Sequence, residues 1–377
     1  MRVEKTELKK QVGELRPVTW LFRVKVVNSK GFRTHFVSLV LFGLFFALGL
    51  APFSHAQPRP PAKDRGSLVF SLENDVWLKQ DEGYTNGVQL MWVTPELSQD
   101  TRSPFLRGLE RLNQKLLGGR ENDREVAFKR RASLSLVQGM FTPDNLTETN
   151  LIPDDRPYAG LLYAALGLVK LGPAYQDSAG LALGVVGPLS LAGTIQRWLH
   201  KTYGWTYPAG WENQLKNEPV LELWFNRLWT LVPPRVSVHG LQPVVKVGVG
   251  AQAGNLLIAS SAGLDLKLGF NLEPQQDTFT GAPLFNHFFA GRATRTSVYA
   301  FARLEGRVIA RNLLLQGNTF RDSHGVDIYP LYGQFSTGLA YQSEQAGLML
   351  YFVMRTREFI GQKYREPYFG LIFSFNL

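Results

Sequence analysis

The sequence predicts an all-β protein: a transmembrane antiparallel β-barrel of about twelve strands, with a helix in one extracellular loop. Three observations support this class. Apolar and polar residues alternate with period two over much of the chain, the N-terminus has the pattern of an export signal, and there are no cysteines. In a bilayer, a sheet satisfies every backbone hydrogen bond only by closing into a barrel, so exported strands of this kind favour that architecture.

The N-terminal segment has the pattern of a secretory signal peptide. An apolar run from Phe36 to Ala51 follows several basic residues and precedes Ser54-His55-Ala56, a small-x-small cleavage signal. A membrane anchor is the alternative, but a spanning helix needs about 20 apolar residues and this run breaks at Pro52. We therefore expect a signal peptide with a long n-region, a short N-terminal tract and the barrel, over residues 1–56, 57–66 and 67–377 respectively.

Charge and cysteine content exclude several functions. Residues 1–56 hold nine Lys/Arg and three Asp/Glu, so cleavage lowers the formal net charge from +10 to +4. The basic excess therefore lies largely outside the mature chain and does not indicate nucleic-acid binding. Without cysteine, neither a thiol nucleophile nor a cysteine zinc site is possible.

The last predicted strand shows the alternation most clearly. Phe369, Leu371, Phe373, Phe375 and Leu377 share one face, and mostly small or polar residues occupy the other. A soluble sandwich also alternates, but an exported chain that ends on an aromatic-rich strand fits an outer-membrane barrel better. The twelve candidate strands are 66–76, 84–94, 127–139, 159–170, 178–187, 217–230, 236–252, 260–270, 296–307, 332–343, 346–356 and 367–377.

The strand order places the polar clusters at one end of this barrel. With both termini in the periplasm, the segments after the first, third and fifth strands face outward. They span Asp75 to Tyr84, Gly139 to Gly160, and Gly187 to Lys216.

The third of these segments contains a helical pattern. Ile195, Trp198 and Leu199 form an apolar stripe at helical spacing, and Gln196 and His200 lie four residues apart on a neighbouring face. Taken alone, this pattern favours a loop helix that caps the barrel, with His200 an ordinary surface histidine.

Several motifs together resemble a known family. "ENDVW" with "YTNG", then "DDRPYAGLLY", "GVVGPLSLAGTIQRWLH" and "GWENQLKNEP", are similar to the LpxR-type lipid A deacylases of Gram-negative outer membranes, in the family's order. The resemblance runs from about Leu68 to the C-terminus. It implies a twelve-stranded outer-membrane barrel, a carboxylic ester hydrolase that requires Ca²⁺ and removes the 3′-linked acyloxyacyl chain of lipid A, with its site facing outward.

The resemblance also implies the site residues. Asn74 and Asp75 on the first strand, Thr85 on the second, and Gln196 and His200 on the loop helix correspond to the family's functional positions. The oxygen donors of Asn74, Asp75 and Thr85 suit Ca²⁺ better than Zn²⁺. His200 is the predicted general base, and Gln196 would orient substrate or water. For the Asn-Asp pair, an Asx turn at a strand end is the structural alternative.

One region departs from the family. The stretch Phe141 to Asn150 lacks the lysine expected after the third strand, and Arg156 is a candidate substrate contact in its place. Asp155 and Arg156 could instead pair with each other and brace the loop. The segment Pro95 to Glu125 is longer and more helical than in the family, and we expect it in the periplasm.

Two alternatives to the deacylase remain open. A phospholipase-like outer-membrane esterase is one, although neither a Gly-x-Ser-x-Gly elbow nor a convincing Ser-His-Asn set appears. A non-enzymatic porin or surface-binding barrel is the other. The expected partners are lipopolysaccharide and the membrane, with no nucleic acid, and the expected oligomeric state is a monomer.

Overall fold

The structure is a computed structural model that describes residues 64–75, 83–98, 102–118, 128–234, 240–273 and 295–377, together with 277–279, 282, 284, 285, 287–289 and 293. The chain divides into two units, Met1–Ala56 and Gln57–Leu377, and every described residue belongs to the second. The predicted signal peptide and most of the predicted N-terminal tract lie outside the described residues, so both stay predictions.

Twelve antiparallel strands form a closed barrel, which confirms the predicted fold class. Each predicted strand overlaps one observed strand. The barrel strands are β1 (Ser67–Asn74), β2 (Gly83–Val93), β3 (Lys129–Thr142), β4 (Ala159–Leu171), β5 (Tyr175–Val186), β6 (Glu218–Val232), β7 (Gln242–Gly254), β8 (Leu257–Phe270), β11 (Ser297–Asn312), β12 (Leu331–Gln342), β13 (Ala346–Arg355) and β14 (Tyr368–Asn376). The short strands β9 (Asp277–Phe279) and β10 (His287–Phe289) pair with each other, and the sequence did not predict them.

Pairing of the first strand with the last closes the barrel. β1 pairs with β14 from Ser67↔Asn376 to Asn74↔Phe369, and with β2 along its other edge. Ser67 and Asn376 therefore lie at the same barrel end, which we call periplasmic in keeping with the topology assigned above. The opposite end is called extracellular.

Side chains alternate between a lipid-facing outer wall and the lumen. On β1, Leu68 and Phe70 are more than 40 % exposed, whereas Val69 and Ser71 are fully buried. The Ser71 hydroxyl donates to Gln89 Oε1 across the lumen face at 3.2 Å. This apolar-outside, polar-inside alternation is the arrangement that a bilayer stabilises.

Described side chains occupy the lumen. Leu284 and Phe285, from the segment between β8 and β11, pack in its hydrophobic cluster. Beside them lies a cavity of about 90 Å³, bordered by Glu73 and Tyr351, whose hydroxyl donates to Glu73 Oε1 at 2.6 Å. A lumen packed in this way does not favour the porin alternative.

Within the described residues, three α-helices accompany the barrel. α1 (Pro104–Leu117) follows β2, α2 (Ala192–Tyr203) follows β5, and the short α3 (Leu313–Gln316) follows β11. α1 confirms the helical character predicted for Pro95 to Glu125, and α2 confirms the predicted loop helix. No described helix is long and apolar enough to cross a membrane.

Candidate functional site at the extracellular end of the barrel wall

The predicted Asn-Asp pair lies where β1 ends. Glu73 shares the lumen face with Ser71, whereas Asn74, the last residue of β1, shares the outer face with Phe70. Asp75 follows directly and is 1 % exposed. The strand end therefore presents an amide on the lipid-facing side and a buried carboxyl immediately after it.

Strand register brings further donors to the same level. Asn74 lies opposite Asn86 of β2, and Asn86 lies opposite Met140 of β3. The β2–β3 register shifts between Tyr84 and Asn86, so Thr85 is the extra residue of a β-bulge. Bulges often occur beside functional sites, where they change the direction of a side chain. The Thr85 side chain itself lies outside the described residues.

Helix α2 packs against the outside of the wall at this level. Met140 lies opposite Gly160 of β4. A Cβ on Gly160 would come within 2.1 Å of Ser190 Oγ and 2.6 Å of Ala192 Cβ, so the helix reaches the strand only because this position is glycine. Gln138, also on the outer face, donates from Nε2 to the Ser190 carbonyl at 2.7 Å. Asn74, Asn86, Met140 and Gly160 thus form a row across four strands that ends beneath the start of α2.

The sequence explains how this helix begins and ends. A single 3-10 turn, Pro188–Ser190, precedes it, and Leu191 adopts a left-handed conformation with φ of 62° at its N-cap. Such a conformation is uncommon for a residue other than glycine and often occurs at functional sites. Gly204, with φ of 69°, ends the helix in the left-handed conformation that glycine adopts easily.

Gln196 and His200 share the buried face of α2. They are 2 % and 3 % exposed, one helical turn apart, and lie on the same face as Ala192 and Gly193. The structure thus brings the two predicted helix residues together, on the side that packs against the barrel.

The contacts of His200 fix its tautomer. Nδ1 forms a hydrogen bond with the Thr206 carbonyl, and the Trp205 ring meets the imidazole edge-on with centroids 5.5 Å apart. A carbonyl oxygen can only accept, so Nδ1 carries the proton and Nε2 of the neutral ring keeps its lone pair. That is the tautomer a general base requires.

The contacts of Gln196 fix its amide in the same way. The indole Nε1–H of the fully buried Trp211 donates to Gln196 Oε1 at 2.6 Å. Because an indole can only donate, the amide orientation follows, and Nε2 is the remaining donor of the side chain. Among the described residues this buried Nε2 has no hydrogen-bond partner. Gln196 therefore offers an oriented N–H donor beside His200.

Arg156 lies elsewhere. It is 2 % exposed and forms ion pairs with Glu366 at 3.2 Å and Glu358 at 3.7 Å, with its guanidinium 5.2 Å from the Phe141 ring centroid. It borders the lumen cavity, whereas α2 packs on the outer wall. This placement does not support the predicted substrate contact and indicates a structural role.

The structure contradicts the alternative in which the Asp155 and Arg156 side chains pair with each other. Asp155 does brace the loop, but through backbone N–H groups: Oδ2 accepts from Asp144 at 2.8 Å and Oδ1 from Arg156 at 2.7 Å. The Arg156 guanidinium binds the 356–367 loop instead. Burial, reinforced by nearby Glu358, raises the pKa of Glu366 to about 7, although Arg156 acts to lower it.

The donor chemistry of the strand ends fits a hard cation. Asn74, Asp75 and Thr85 all carry oxygen donors, which Ca²⁺ accepts readily, and no cysteine competes for a softer metal. Within the part of the chain that the structure describes, no three His, Cys, Asp or Glu side chains cluster as a metal site. The predicted set has a single carboxylate, so that observation does not bear on it.

Sequence reasoning missed the residues that orient the site. Trp211 and Thr206 hold Gln196 and His200, and Asn86 lies opposite Asn74. Trp211 and Asn86 both fall within the quoted motifs "GWENQLKNEP" and "YTNG". Thr206 carried no signal, because it acts through its backbone carbonyl.

Comparison with known proteins agrees with this architecture. The family described as "Outer membrane protein LpxR" matches residues 39–377. A solved structure, LpxR from Salmonella typhimurium, superposes with a TM-score of 0.66 at 18 % identity, covering 82 % of this chain and 100 % of that chain. The β domain of the Bordetella autotransporter BrkA gives a TM-score of only 0.39 at 9 % identity, covering 84 % and 100 %. No curated protein matches significantly.

The Salmonella structure shares the fold, and the family match spans most of the sequence. This places the protein in the outer membrane of a Gram-negative bacterium. The chain belongs to the LpxR family of outer membrane proteins.

Proposed function

We propose that this protein is a lipid A deacylase that removes the 3′-linked acyloxyacyl chain in the outer leaflet, using His200 as general base. Family membership implies lipid A deacylation in general. The finer proposal rests chiefly on one observation. A buried Gln-His pair of fixed orientation packs against the lipid-facing side of the barrel wall, at the level of Asn74.

The location suits a membrane-embedded substrate. The outer wall beside this level is apolar, and Phe352 and Phe369, next to Asn74, contact each other with ring centroids 5.1 Å apart. Acyl chains can lie against such a surface without leaving the bilayer. The ester near their head would then lie at the level of Asn74. A lumen site would instead require the lipid to leave the membrane.

His200 supports a direct hydrolytic step. As a water oxygen bonds to the ester carbonyl carbon, Nε2 takes one of its protons, while the Thr206 carbonyl stabilises the resulting imidazolium through Nδ1–H. The bond between that carbon and the sugar oxygen then breaks, and the imidazolium returns the proton to the sugar oxygen. A free carboxylic acid and a lipid A hydroxyl result.

Gln196 supports the charged intermediate. Its Nε2–H donor, held by Trp211, is suited to an oxygen of the substrate or of the attacking water. Asn74, Asp75 and Thr85 would hold Ca²⁺, which when bound supplies positive charge to polarise an ester carbonyl.

Mass spectrometry of lipid A tests the proposal. Cells that produce the protein should lose the mass of one acyloxyacyl unit relative to cells that lack it, and released fatty acid should match that loss. Unchanged lipid A together with released phospholipid acyl chains would identify the phospholipase-like alternative instead.

The metal has a separate test. EGTA should abolish deacylation by the purified protein, and Ca²⁺ should restore it better than Zn²⁺ or Mg²⁺, because the proposed ligands are all oxygens. Asp75→Asn should raise the Ca²⁺ concentration needed for half-maximal activity, while the exposed Asp322→Asn should not. Full activity in excess EGTA would remove the metal from the mechanism.

A further inference from the structure

Helix α1 packs on the outside of the barrel, at its periplasmic end. Leu109 and Leu117 cluster with Ala132 of β3 and Leu168 of β4, which lie opposite each other on the outer face. Asn113 fixes the contact, because its Nδ2 donates to the Arg131 and Val169 carbonyls at 3.2 and 3.0 Å. The helix is therefore docked on the wall.

The surface beneath α1 continues into the lipid-facing wall. Leu134 and Leu136, the next outward residues of β3 above Ala132, are 37 % and 54 % exposed. Leu166, which lies opposite Leu134, packs against the α1 cluster. The helix thus sits at the periplasmic edge of the surface that the membrane covers.

The exposed part of α1 has two chemically distinct sides. Phe105 and Leu116 are 53 % and 58 % exposed and share one flank. Arg107, Arg111 and Lys115, spaced four residues apart, form an exposed basic row on another. This is the composition of a helix that lies in a membrane interface.

The basic row lacks acidic partners within the described part of the chain. Arg107, Arg111 and Lys115 form no ion pair there, and the helix's one acidic residue, Glu110, is 4 % exposed on its buried face. Like charges four residues apart destabilise a helix. A negatively charged surface would offset that repulsion.

We propose that α1 is an interfacial helix that binds anionic phospholipid in the inner leaflet of the outer membrane. Phe105 and Leu116 insert among the acyl chains, and Arg107, Arg111 and Lys115 bind the phosphodiester headgroups. The site is on the opposite side of the membrane from the deacylase site, and it does not depend on the proposed function.

Membrane immersion can be measured directly, because the chain has no cysteine of its own. An environment-sensitive fluorophore on Phe105→Cys of the full mature chain should be quenched by nitroxide-labelled lipid in phosphatidylethanolamine–phosphatidylglycerol vesicles. The same label on Phe320→Cys, 70 % exposed in the extracellular loop before β12, should not be. An unquenched label at position 105 in a folded barrel would overturn the proposal and would fit a periplasmic protein as the occupant.

Headgroup binding needs a second readout. Native mass spectrometry of the detergent-solubilised protein, titrated with phosphatidylglycerol, should show that R107Q/R111Q/K115Q weakens binding by roughly 100-fold, since each basic residue near an anionic surface contributes about 1 kcal/mol. The matched variant R321Q/K363Q/R365Q, three exposed residues of extracellular loops, should bind as the parent does. Equal binding of phosphatidylglycerol by all three proteins, or equal preference for phosphatidylethanolamine, would contradict headgroup recognition. Deacylation in detergent should be unchanged in both variants.

Discussion

The orientation of His200 comes from a backbone carbonyl rather than from a carboxylate. Thr206 lies six residues further along, beyond the turn at Gly204 that ends α2. The orienting carbonyl and the proposed base therefore belong to one short segment. A neutral acceptor stabilises the imidazolium less than a carboxylate would, which is compatible with a base that must release its proton to the leaving alcohol.

His200→Gln should lower deacylation by about 10²–10⁴-fold, because a positioned general base contributes that much. The barrel should still fold and insert, since α2 lies outside the wall. Thr202→Val is the matched control: Thr202 is on the same helix but exposed, with its hydroxyl bonded to the Trp198 carbonyl at 2.8 Å. Parental activity of folded His200→Gln would show that another group is the base. His324 is a poor control, because its Nε2 contacts the Asp155 carbonyl at 2.8 Å.

Gln196 and Trp211 should act as a unit. Gln196→Met keeps the shape and removes the donor, so kcat should fall by about 10²-fold, as for loss of one oxyanion-hole donor. Trp211→Phe keeps most of the packing but frees the amide to rotate, so kcat should fall by a smaller factor, about tenfold. Kinetics of the double variant provide the check. A product of the two single effects would mean that Trp211 does not act through Gln196.

At each end of the barrel, a single residue determines how neighbouring secondary-structure elements pack. At the extracellular end, Gly160 lets α2 approach β4. At the periplasmic end, Asp64 links the start of β1, the segment after β2, and β3: it accepts from Gly66 N at 2.9 Å, Glu96 N at 3.1 Å and Arg131 Nη2 at 2.9 Å.

Gly160→Ala should displace α2 while leaving the barrel intact. The new methyl would overlap Ser190 and Ala192, and the helix can yield more easily than the hydrogen-bonded strand. We expect at least a tenfold loss of deacylation with an unchanged thermal unfolding midpoint of the barrel. Gly306→Ala on β11, where an added Cβ would have no atom within 4 Å beyond its chain neighbours, is the matched control and should retain activity. Full activity of Gly160→Ala would show that the helix position is not critical.

Acidification should weaken the contacts that Asp64 makes at the periplasmic end of the barrel. Burial acts to raise the pKa of Asp64, but the Arg131 guanidinium and two backbone donors outweigh it and hold that pKa below its ordinary value. A lowered native pKa contributes stability that is present above the unfolded-state value near 3.8 and is lost as pH falls through the native value. Asp64→Asn should therefore reduce stability at neutral pH and show a smaller further loss on acidification. Urea unfolding of both proteins at neutral and acidic pH measures this, and parallel pH profiles would contradict it.

On the scale of the whole molecule, two helices pack on the same part of the outer wall, one near its extracellular end and one near its periplasmic end. α2 packs on β3 and β4 near Met140, and α1 packs on the same strands near Ala132. Eight residues of β3 separate these positions, which is about 26 Å along the strand and roughly 20 Å in height after strand tilt. That is close to the apolar band of an outer-membrane barrel, so the two helices lie near the two faces of the bilayer.

The sequence predicted this framework better than it predicted the contacts on it. All twelve strands were predictable, because alternation has a period of two and closure requires an even count in barrels of this class. The Gln196–His200 pair was predictable from helical spacing and motif. The partners of Arg156 were not, since Glu358 and Glu366 lie some 200 residues away and only closure brings them near. The docking of α1 on the wall could not be predicted either. The small outward residues Ala132 and Ala179 that it contacts look like any others in an alternating strand.

Under the proposed function, pairing of the first strand with the last is a condition for activity. Asn74 lies on β1. One edge of β1 pairs only with β14, where Phe369 is the residue opposite Asn74. A chain that has crossed the periplasm but lacks its final strand pairing has neither a fixed Asn74 nor the apolar surface beside it. Under the proposed function, hydrolysis therefore begins only once insertion is complete, and an exported intermediate cannot attack lipid on its way to the membrane.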